Sequence, residues 1–170
     1  MSDDITAVNN SIQQEHEGAH LSEERFLEFS LGEENYAIPL LKVKEVIAVP
    51  KTTPIPNTPA HFNGIMNLRG QVISVMDLRK KLNIKPQEQS EETAVIILDL
   101  SPVFLGCVVD SVNKVLSIAK SQISEPPEIE GHLKIKYIDG VYRAESKMIV
   151  LLDIAKALDI ADLEILKKSA

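Results

Sequence analysis

Apolar and polar residues alternate in short runs over the middle of the chain, residues 25–153, and Gly, Pro, Asn and Asp separate the runs. Alternation with a period of two is typical of strands that bury one face, and the separating residues are typical of turns. The pattern therefore predicts a mainly β fold made of many short strands.

The two ends of the chain depart from this alternation. From 154 to 168 the apolar residues recur at helical spacing, and Lys167 and Lys168 lie where positive charge favours the C-terminus of a helix. We predict an amphipathic C-terminal helix over 154–168 that packs on the β body. Residues 1–24 are acidic and have few apolar positions, so burial there should not offset the entropy of ordering. We therefore predict that residues 1–24 form a flexible acidic N-terminal tail or a frayed helix.

The alternating region contains an internal repeat. Apolar positions of residues 26–49 match those of 95–118 at a constant offset of 69 residues, through strand, turn, strand and a change to helix-like spacing. A second block, 64–82, matches 140–158 at an offset of 76 residues. Self-similarity of this kind indicates a repeated structural unit.

The repeat predicts two small subdomains, copy one at about 25–83 and copy two at about 93–158. We expect each copy to form a β-barrel and the two barrels to be related by a pseudo-twofold axis. A unit of about 65 residues buries only ~60% of the surface of its unfolded chain. We therefore expect the copies to pack against each other and against the C-terminal helix, leaving a groove in which a partner could bind.

Composition and charge narrow the classes of function. The chain has 170 residues, a net charge of −7 and one cysteine, Cys107. A single cysteine excludes an internal disulfide and fits a reducing, cytoplasmic compartment, and its apolar neighbours indicate a core residue. No apolar run approaches the ~20 residues that span a bilayer, so we expect no membrane insertion. An acidic chain is repelled by phosphate backbones, which argues against nucleic-acid binding.

Motifs that would carry catalysis or hold a cofactor are missing from the sequence. It has no phosphate-binding glycine loop and no GxSxG, HExxH or CxxC. His16 and His20 have the i, i+4 spacing of a shared metal site, but no further ligands complete one, so we interpret both as solvated polar residues. Asp77 and Asp153 occupy equivalent repeat positions before helix-like runs, which favours helix capping over acid–base catalysis. We expect a protein that is not an enzyme and that uses no metal and no cofactor.

Comparison of the two copies separates residues that the fold needs from residues that only one half has. Arg69 lies in a hairpin turn whose counterpart in copy two has Glu145 at the same position. Glu45 is replaced by Lys114 in copy two. The repeat therefore requires neither charge. The pattern alone leaves two interpretations open, an exposed ion pair that contributes under ~1 kcal/mol or a pair of functional residues.

Several motifs of the first half resemble one protein family. They are FSLGEENYAI at 29–38, VKEV at 43–46, NTP at 57–59, NLRG at 67–70 and DLR at 77–79. Together they resemble the CheW family of bacterial chemotaxis coupling proteins, and the similarity continues to about residue 158. The resemblance implies a CheW-like domain over 25–158 with two five-stranded SH3-like β-barrels, and a non-catalytic adaptor function.

The resemblance also implies the partners. Family members couple methyl-accepting chemoreceptors to the histidine kinase CheA in chemotaxis signalling arrays, binding the regulatory domain of the kinase and the cytoplasmic tip of the receptor. We therefore expect a cytoplasmic protein that is recruited to membrane receptor arrays. One alternative is a CheW-like scaffold of another chemosensory pathway, serving surface motility or gene regulation. Another is a small-barrel nucleic-acid-binding module, which would need interleaved aromatic residues and a basic face.

Contact residues follow from the same resemblance. The matching positions are Val43, Glu45, Gly64, Asn67, Arg69 and Val115. The resemblance implies that they bind the receptor or the kinase. We expect Val43 and Val115 to form the apolar centre of a groove between the barrels, with Arg69 and Glu45 on its polar rim. A receptor helix could lay its apolar face into such a groove.

Overall fold

The computed structural model describes residues 2–17, 23–126 and 135–169, and most of its secondary structure is β-strand. The strands are β1 (Glu24–Leu31), β2 (Glu34–Pro39), β3 (Val43–Ala48), β4 (Phe62–Leu68), β5 (Gln71–Asp77), β6 (Ala94–Asp99), β7 (Phe104–Val109), β8 (Ser111–Ile118), β9 (Ile123–Ser124), β10 (Ile138–Ala144) and β11 (Lys147–Leu152). The helices are α1 (Ser2–His16), α2 (Leu78–Lys81), α3 (Ile154–Ala157) and α4 (Ile160–Ser169).

The strands of the described residues form two sheets, and each sheet takes strands from both halves of the repeat. Sheet one has the order β8-β1-β2-β11-β10-β9, and sheet two has the order β3-β6-β7-β5-β4. The predicted mainly β fold is confirmed, with one six-stranded and one five-stranded sheet where we expected two five-stranded barrels. The boundaries of the sheets do not follow copies 25–83 and 93–158. Equivalent strands of the two copies have the same apolar pattern, so the pattern could not show which copy a strand pairs with.

Strand pairing in the two sheets shows the pseudo-twofold relation directly. In sheet two Ile47 pairs with Val95, and in sheet one Phe26 pairs with Leu116. The offset of 69 residues carries Ile47 to position 116 and Phe26 to position 95, so the two pairs are the same pair with the copies exchanged. The parallel contacts of β5 with β7 and of β11 with β2 are related in the same way.

Three apolar clusters form the core. One contains residues of sheet two alone, among them Ile73, Val95 and Ile97, and another contains residues of sheet one alone, among them Phe26 and Ile149. The third and largest joins both sheets to α1 and to the C-terminal helices. Packing of the two sheets on each other therefore supplies the burial that each small sheet could not supply by itself.

Of the two alternatives for residues 1–24, the flexible tail is wrong over Ser2–His16, which form a helix. Residues Ser2–His16 form α1, in which Val8 is 6% exposed and Ile12 is 2% exposed. Ile5, Val8 and Ile12 recur at helical spacing, so one face of α1 is apolar despite the acidic composition. That face packs on a surface that both sheets create together, which no property of the segment itself could reveal.

The predicted C-terminal helix over 154–168 is two helices, α3 and α4, that are separated at Leu158 and Asp159. The backbone N–H of Asp162 donates to the side chain of Asp159, and the N–H of Asp159 donates to the side chain of Asp162. Such reciprocal capping starts a new helix at this point. The predicted packing on the β body is confirmed, because Leu166 is buried in the largest cluster.

Helix capping by Asp77 and Asp153 is confirmed. The side chain of Asp77 accepts the N–H of Lys80 at 3.3 Å, and that of Asp153 accepts the N–H of Lys156 at 3.3 Å. Each carboxylate satisfies a backbone donor in the first turn of a short helix, α2 or α3, and the equivalence of the two positions is structural.

A buried carboxylate, Asp162, fastens α4 to the rest of the molecule. The side chain of His61 donates to it at 2.6 Å, and the ammonium group of Lys81 donates to it at 2.5 Å. Burial by itself raises the pKa of Asp162, but the hydrogen bonds from Lys81 and His61 outweigh burial and hold the pKa below its ordinary value. The contacts of this carboxylate therefore favour its charged form.

The lowered pKa of Asp162 predicts a loss of stability in acid. A folded-state pKa below the unfolded value means that the contribution of Asp162 is complete above about pH 4 and disappears as the pH falls through the folded value. We expect urea unfolding to show a smaller loss of stability between about pH 6 and pH 3 in Asp162→Asn than in the wild-type chain. Asp139→Asn, which alters an exposed ion pair with Lys156, is the matched control and should keep the wild-type pH dependence. An unchanged pH dependence in Asp162→Asn would contradict this assignment.

Candidate protein-binding surface

The hairpin that joins β4 to β5 presents Arg69 at its tip. Arg69 and Gly70 have φ angles of 50° and 86°, and positive φ at both central residues defines the two-residue turn that suits a twisted hairpin. The side chain of Asn67 accepts the N–H of Gly70 at 2.8 Å and stabilises the turn. The structure therefore gives Asn67 and Gly70 a role in shaping the turn that carries Arg69.

Arg69 forms an ion pair with Glu45 on β3. The Arg69 side chain is 66% exposed and the Glu45 side chain is 19% exposed. The pair therefore connects the two edge strands of sheet two, β3 directly and β4 through its hairpin. Because most of the guanidinium is in solvent, its planar set of N–H groups can bind a carboxylate or carbonyl of another molecule. The structure brings together the two charges that the repeat left unexplained.

Gly64 lies beneath the connector that follows β3, where it is buried. Its φ angle is 132°, and a Cβ atom added to it would lie 2.1 Å from the carbonyl oxygen of Thr53. Thr53 and Ile65 form a β-bridge with hydrogen bonds of 2.8 and 2.9 Å. This bridge joins the chain after β3 to the other edge of sheet two and so closes a barrel. The structure gives Gly64 a reason to be glycine that involves no partner.

Val43 and Val115 lie on two different edge strands, β3 and β8, and α1 lies beside both of them. Val43 is fully buried, and its carbonyl oxygen accepts a hydrogen bond from the ring of His16 at 2.9 Å. Val115 is half-buried and lines a cleft of about 320 Å³ between β8 and α1, together with Val8 and Ser11. We name the surface between β3 and β8 the helix groove. Helix α1 of the same chain lies over this surface, so Val43 is covered and does not form the exposed centre of a groove.

Two contacts of this surface escaped the sequence patterns. The amide of Asn9 on α1 binds both backbone groups of Val46, accepting its N–H at 2.8 Å and donating to its C=O at 3.0 Å. Lys44 places its ammonium group 3.9 Å from the centre of the Phe104 ring. Neither residue pair is close in sequence, and an isolated asparagine in a polar segment gives no signal of such a contact.

Two of the cysteine and histidine side chains that could have carried catalysis or bound a metal, Cys107 and His16, lie in contact with the rest of the fold. Cys107 is buried, and burial raises the pKa of its thiol to about 12, so it is an uncharged core residue as predicted. His16 contacts Val43, whereas His20 lies outside the described residues. The described parts of the chain contain no group of three His, Cys, Asp or Glu side chains that could hold a metal ion. In those same parts, no helix is long and apolar enough to cross a membrane.

Arg79 organises the connector between the two halves. Its buried guanidinium pairs with Asp110 at the end of β7, and it donates to the carbonyl oxygen of Lys85 at 2.7 Å and to the side chain of Gln87 at 2.6 Å. These bonds hold residues 85–87 against the body. The DLR motif at 77–79 is therefore explained by one helix cap and one buried arginine.

Comparisons with known proteins agree on one family. A family model described as CheW-like domain matches residues 25–162, a range that begins after α1. The chain is similar to the chemotaxis protein CheW of Klebsiella aerogenes, with 38% identity over 79% of this chain and 81% of that protein. It is 31% identical to the chemotaxis protein CheW of Bacillus subtilis over 80% of this chain and 87% of that protein. A crystal structure of the scaffolding protein TtCheW from Thermoanaerobacter tengcongensis superimposes with a TM-score of 0.71, at 32% identity, covering 77% of this chain and 89% of that one.

Proposed function

The chain belongs to the CheW family, and from this premise we propose that it is a non-catalytic adaptor that couples methyl-accepting chemoreceptors to a CheA-type histidine kinase. The observation that carries the proposal is the exposed Arg69–Glu45 pair on a fold similar to the chemotaxis proteins named above. Through its partners the adaptor is recruited from the cytoplasm to membrane receptor arrays.

The surface of sheet two supports the proposed contact. Arg69 supplies an exposed charged anchor, and Val72, 45% exposed, is an apolar neighbour on the next strand. Arginine beside apolar side chains is a frequent combination at the centre of protein interfaces. Asn67 and Gly70 keep Arg69 in place before a partner arrives, so little entropy is lost when the partner binds. In this proposal Arg69 and Glu45 contact a partner, whereas Gly64 and Asn67 shape the surface.

The helix groove supports a second contact, with one helix of the receptor tip. An amphipathic helix binds a protein by laying apolar residues at i and i+4 into an apolar groove. The groove between β3 and β8 already holds a helix of that kind, since α1 buries Val8 and Ile12 there. Val115 faces the part of the groove that α1 leaves open. The receptor helix occupies this groove in the proposed complex.

A binding titration tests the adaptor function. The full chain is titrated against the isolated regulatory domain of the CheA-type kinase from the same cell, at physiological salt. We expect saturable binding with a Kd of about 10 μM or tighter, the range that an interface of standard size supplies. Kinase activity measured with receptor present and with the adaptor added or omitted then reports coupling. If the regulatory domain does not bind at tens of micromolar, the chain is not an adaptor for this kinase, and a scaffold of a different pathway becomes the better hypothesis.

A further inference from the structure

The helix groove is held by a segment of the chain itself. Helix α1 contacts β3 and β8, the edge strands of the two sheets. Val8 and Ile12, which are four residues apart on one face of α1, are buried in the core. Asn9, which lies between them in sequence, binds the N–H and C=O of Val46. An edge strand leaves backbone groups that another element can bind, and here a side-chain amide takes the place of that element.

The attachment of α1 to the groove depends on few groups. Among its described side chains, Val8 and Ile12 are the ones that are buried. Its polar anchors include Asn9 on Val46, the ring of His16 on the carbonyl oxygen of Val43, and an ion pair of Glu15 with Arg25 at 3.1 Å. Toward β8 the packing is incomplete, because the cleft of about 320 Å³ lies between α1 and Val115. Such a helix can leave the groove without disturbing the pairing of either sheet.

The range that matches the family separates α1 from the domain. The CheW-like match covers 25–162 and therefore does not include α1. The two strands that form the groove, β3 and β8, both lie within the matched range. A groove that accepts one amphipathic helix in cis has the shape and polarity to accept another. While α1 is docked, Asn9 takes both the N–H and the C=O of Val46, so a second helix cannot bind these backbone groups.

We propose that α1 occupies in cis the groove that binds a receptor-tip helix, so that α1 and the receptor helix exclude each other. The inference rests on the proposed adaptor function and adds a regulation of the same site. The competing helix presents two aliphatic residues one turn apart and an amide or hydroxyl side chain between them, as Val8, Asn9 and Ile12 do. The apparent affinity for the receptor tip is then reduced by the fraction of molecules in which α1 is docked.

A pair of matched substitutions in the full chain tests the competition. Asn9→Asp removes the donor to the carbonyl oxygen of Val46 and places a carboxylate beside it, so α1 leaves the groove more often. Asn10→Asp makes the same chemical change one residue further on, at an exposed position of the same helix. With a fluorescent helical-hairpin fragment of the receptor tip as the probe, we expect Asn9→Asp to bind about tenfold more tightly than the wild-type chain. Asn10→Asp should bind like the wild-type chain.

Hydrogen exchange on the wild-type chain gives a second, independent measurement. We expect the amides of α1 to lose protection when the receptor-tip fragment saturates the protein, while the amides of β6 and β7 keep theirs. The proposal is overturned if α1 stays protected in the saturated complex, or if Asn9→Asp is folded and binds no more tightly than Asn10→Asp.

The kinase titration distinguishes the possible failures. If the regulatory domain of the kinase binds all three proteins equally and the receptor tip binds them equally, the adaptor function stands and the competition is wrong. If the receptor tip binds Asn9→Asp but not the wild-type chain, the competition is supported in its strongest form. If neither the kinase domain nor the receptor tip binds any of the three, the adaptor function and the competition both fail.

Discussion

Gly64→Ala is expected to lower the free energy of unfolding by about 3 kcal/mol or more. The φ angle of 132° is one that residues with a Cβ rarely adopt, and holding alanine there costs ~1–3 kcal/mol. The added methyl group would also lie 2.1 Å from the carbonyl oxygen of Thr53, so the bridge between Thr53 and Ile65 must open. Thermal unfolding should show a decrease in Tm of about 10 °C.

Two other glycines provide controls for this substitution. Gly32 also has a positive φ, 64°, but nothing lies within 4 Å of its added Cβ, so Gly32→Ala should cost only about 1 kcal/mol. Gly140 is the repeat counterpart of Gly64 but has no positive φ, and its added Cβ would meet the side chain of Ile123 at 2.5 Å and the carbonyl oxygen of Ser124 at 3.0 Å. Gly140→Ala should therefore cost less than Gly64→Ala, because only the contacts and not the φ angle oppose it. If Gly64→Ala keeps its stability and loses only partner binding, Gly64 is a contact residue and our structural explanation of it is wrong.

Gly64 also shows what a sequence can reveal about a site. The resemblance assigned Gly64 to receptor or kinase contact, which stays a prediction, and it gave no structural reason for a glycine there. The structural reason for a glycine is the close approach of Thr53, which lies in the connector between β3 and β4. The path of that connector is not encoded in a local pattern. Helix caps are easier to predict, because Asp77 and Asp153 bind backbone groups only three residues away in sequence. Their capping role was therefore visible in the local pattern.

Long-range pairing limited the prediction of the fold in the same way. Hydrophobic alternation gave the strands, and the repeat gave their equivalence, because both depend on local periodicity. Which strand pairs with which depends on how the two copies meet. The pairs Ile47–Val95 and Phe26–Leu116 join residues of different copies, and a pattern shared by both copies is the same for either choice of partner.

Helix α1 is the clearest example of a context that the segment does not contain. Ile5, Val8 and Ile12 were visible at helical spacing, but a single apolar stripe of this length forms a stable helix only when it can pack on something. The groove that receives it is made by β3 and β8 from different sheets. The composition of the segment therefore did not reveal the helix that Ser2–His16 form in the folded chain.

Comparison of the two copies was more informative about the candidate site than composition was. It selected Arg69 and Glu45 because the repeat did not need them, and the structure joins these two residues in one ion pair. The resemblance selected Val43 as an apolar contact residue, but Val43 is fully buried, so its side chain is not accessible to a partner in this structure. Departures from an internal repeat identify candidates for an additional role, whereas apolar matches mainly identify the core.

Arg69→Glu is expected to weaken binding of at least one partner by about 30-fold, or ~2 kcal/mol, which is the effect of losing a central arginine at an interface. The substitution removes the exposed guanidinium and places a second carboxylate beside Glu45, so the charge at position 69 changes from positive to negative. The fold should be retained, because a largely exposed ion pair contributes under ~1 kcal/mol to stability. Separate titrations against the kinase regulatory domain and the receptor-tip fragment show which partner Arg69 contacts.

Arg143→Glu is the matched control for this reversal. Arg143 is an exposed arginine of the equivalent hairpin in sheet one, between β10 and β11, so the change in net charge is the same and only the position differs. We expect Arg143→Glu to bind both partners like the wild-type chain, which would exclude a general electrostatic effect of the added negative charge. If Arg69→Glu supports receptor-dependent kinase activation as well as Arg143→Glu does, the surface around Arg69 and Glu45 is not the coupling site. In that case the ion pair would only connect the two edge strands of sheet two and would have no part in binding.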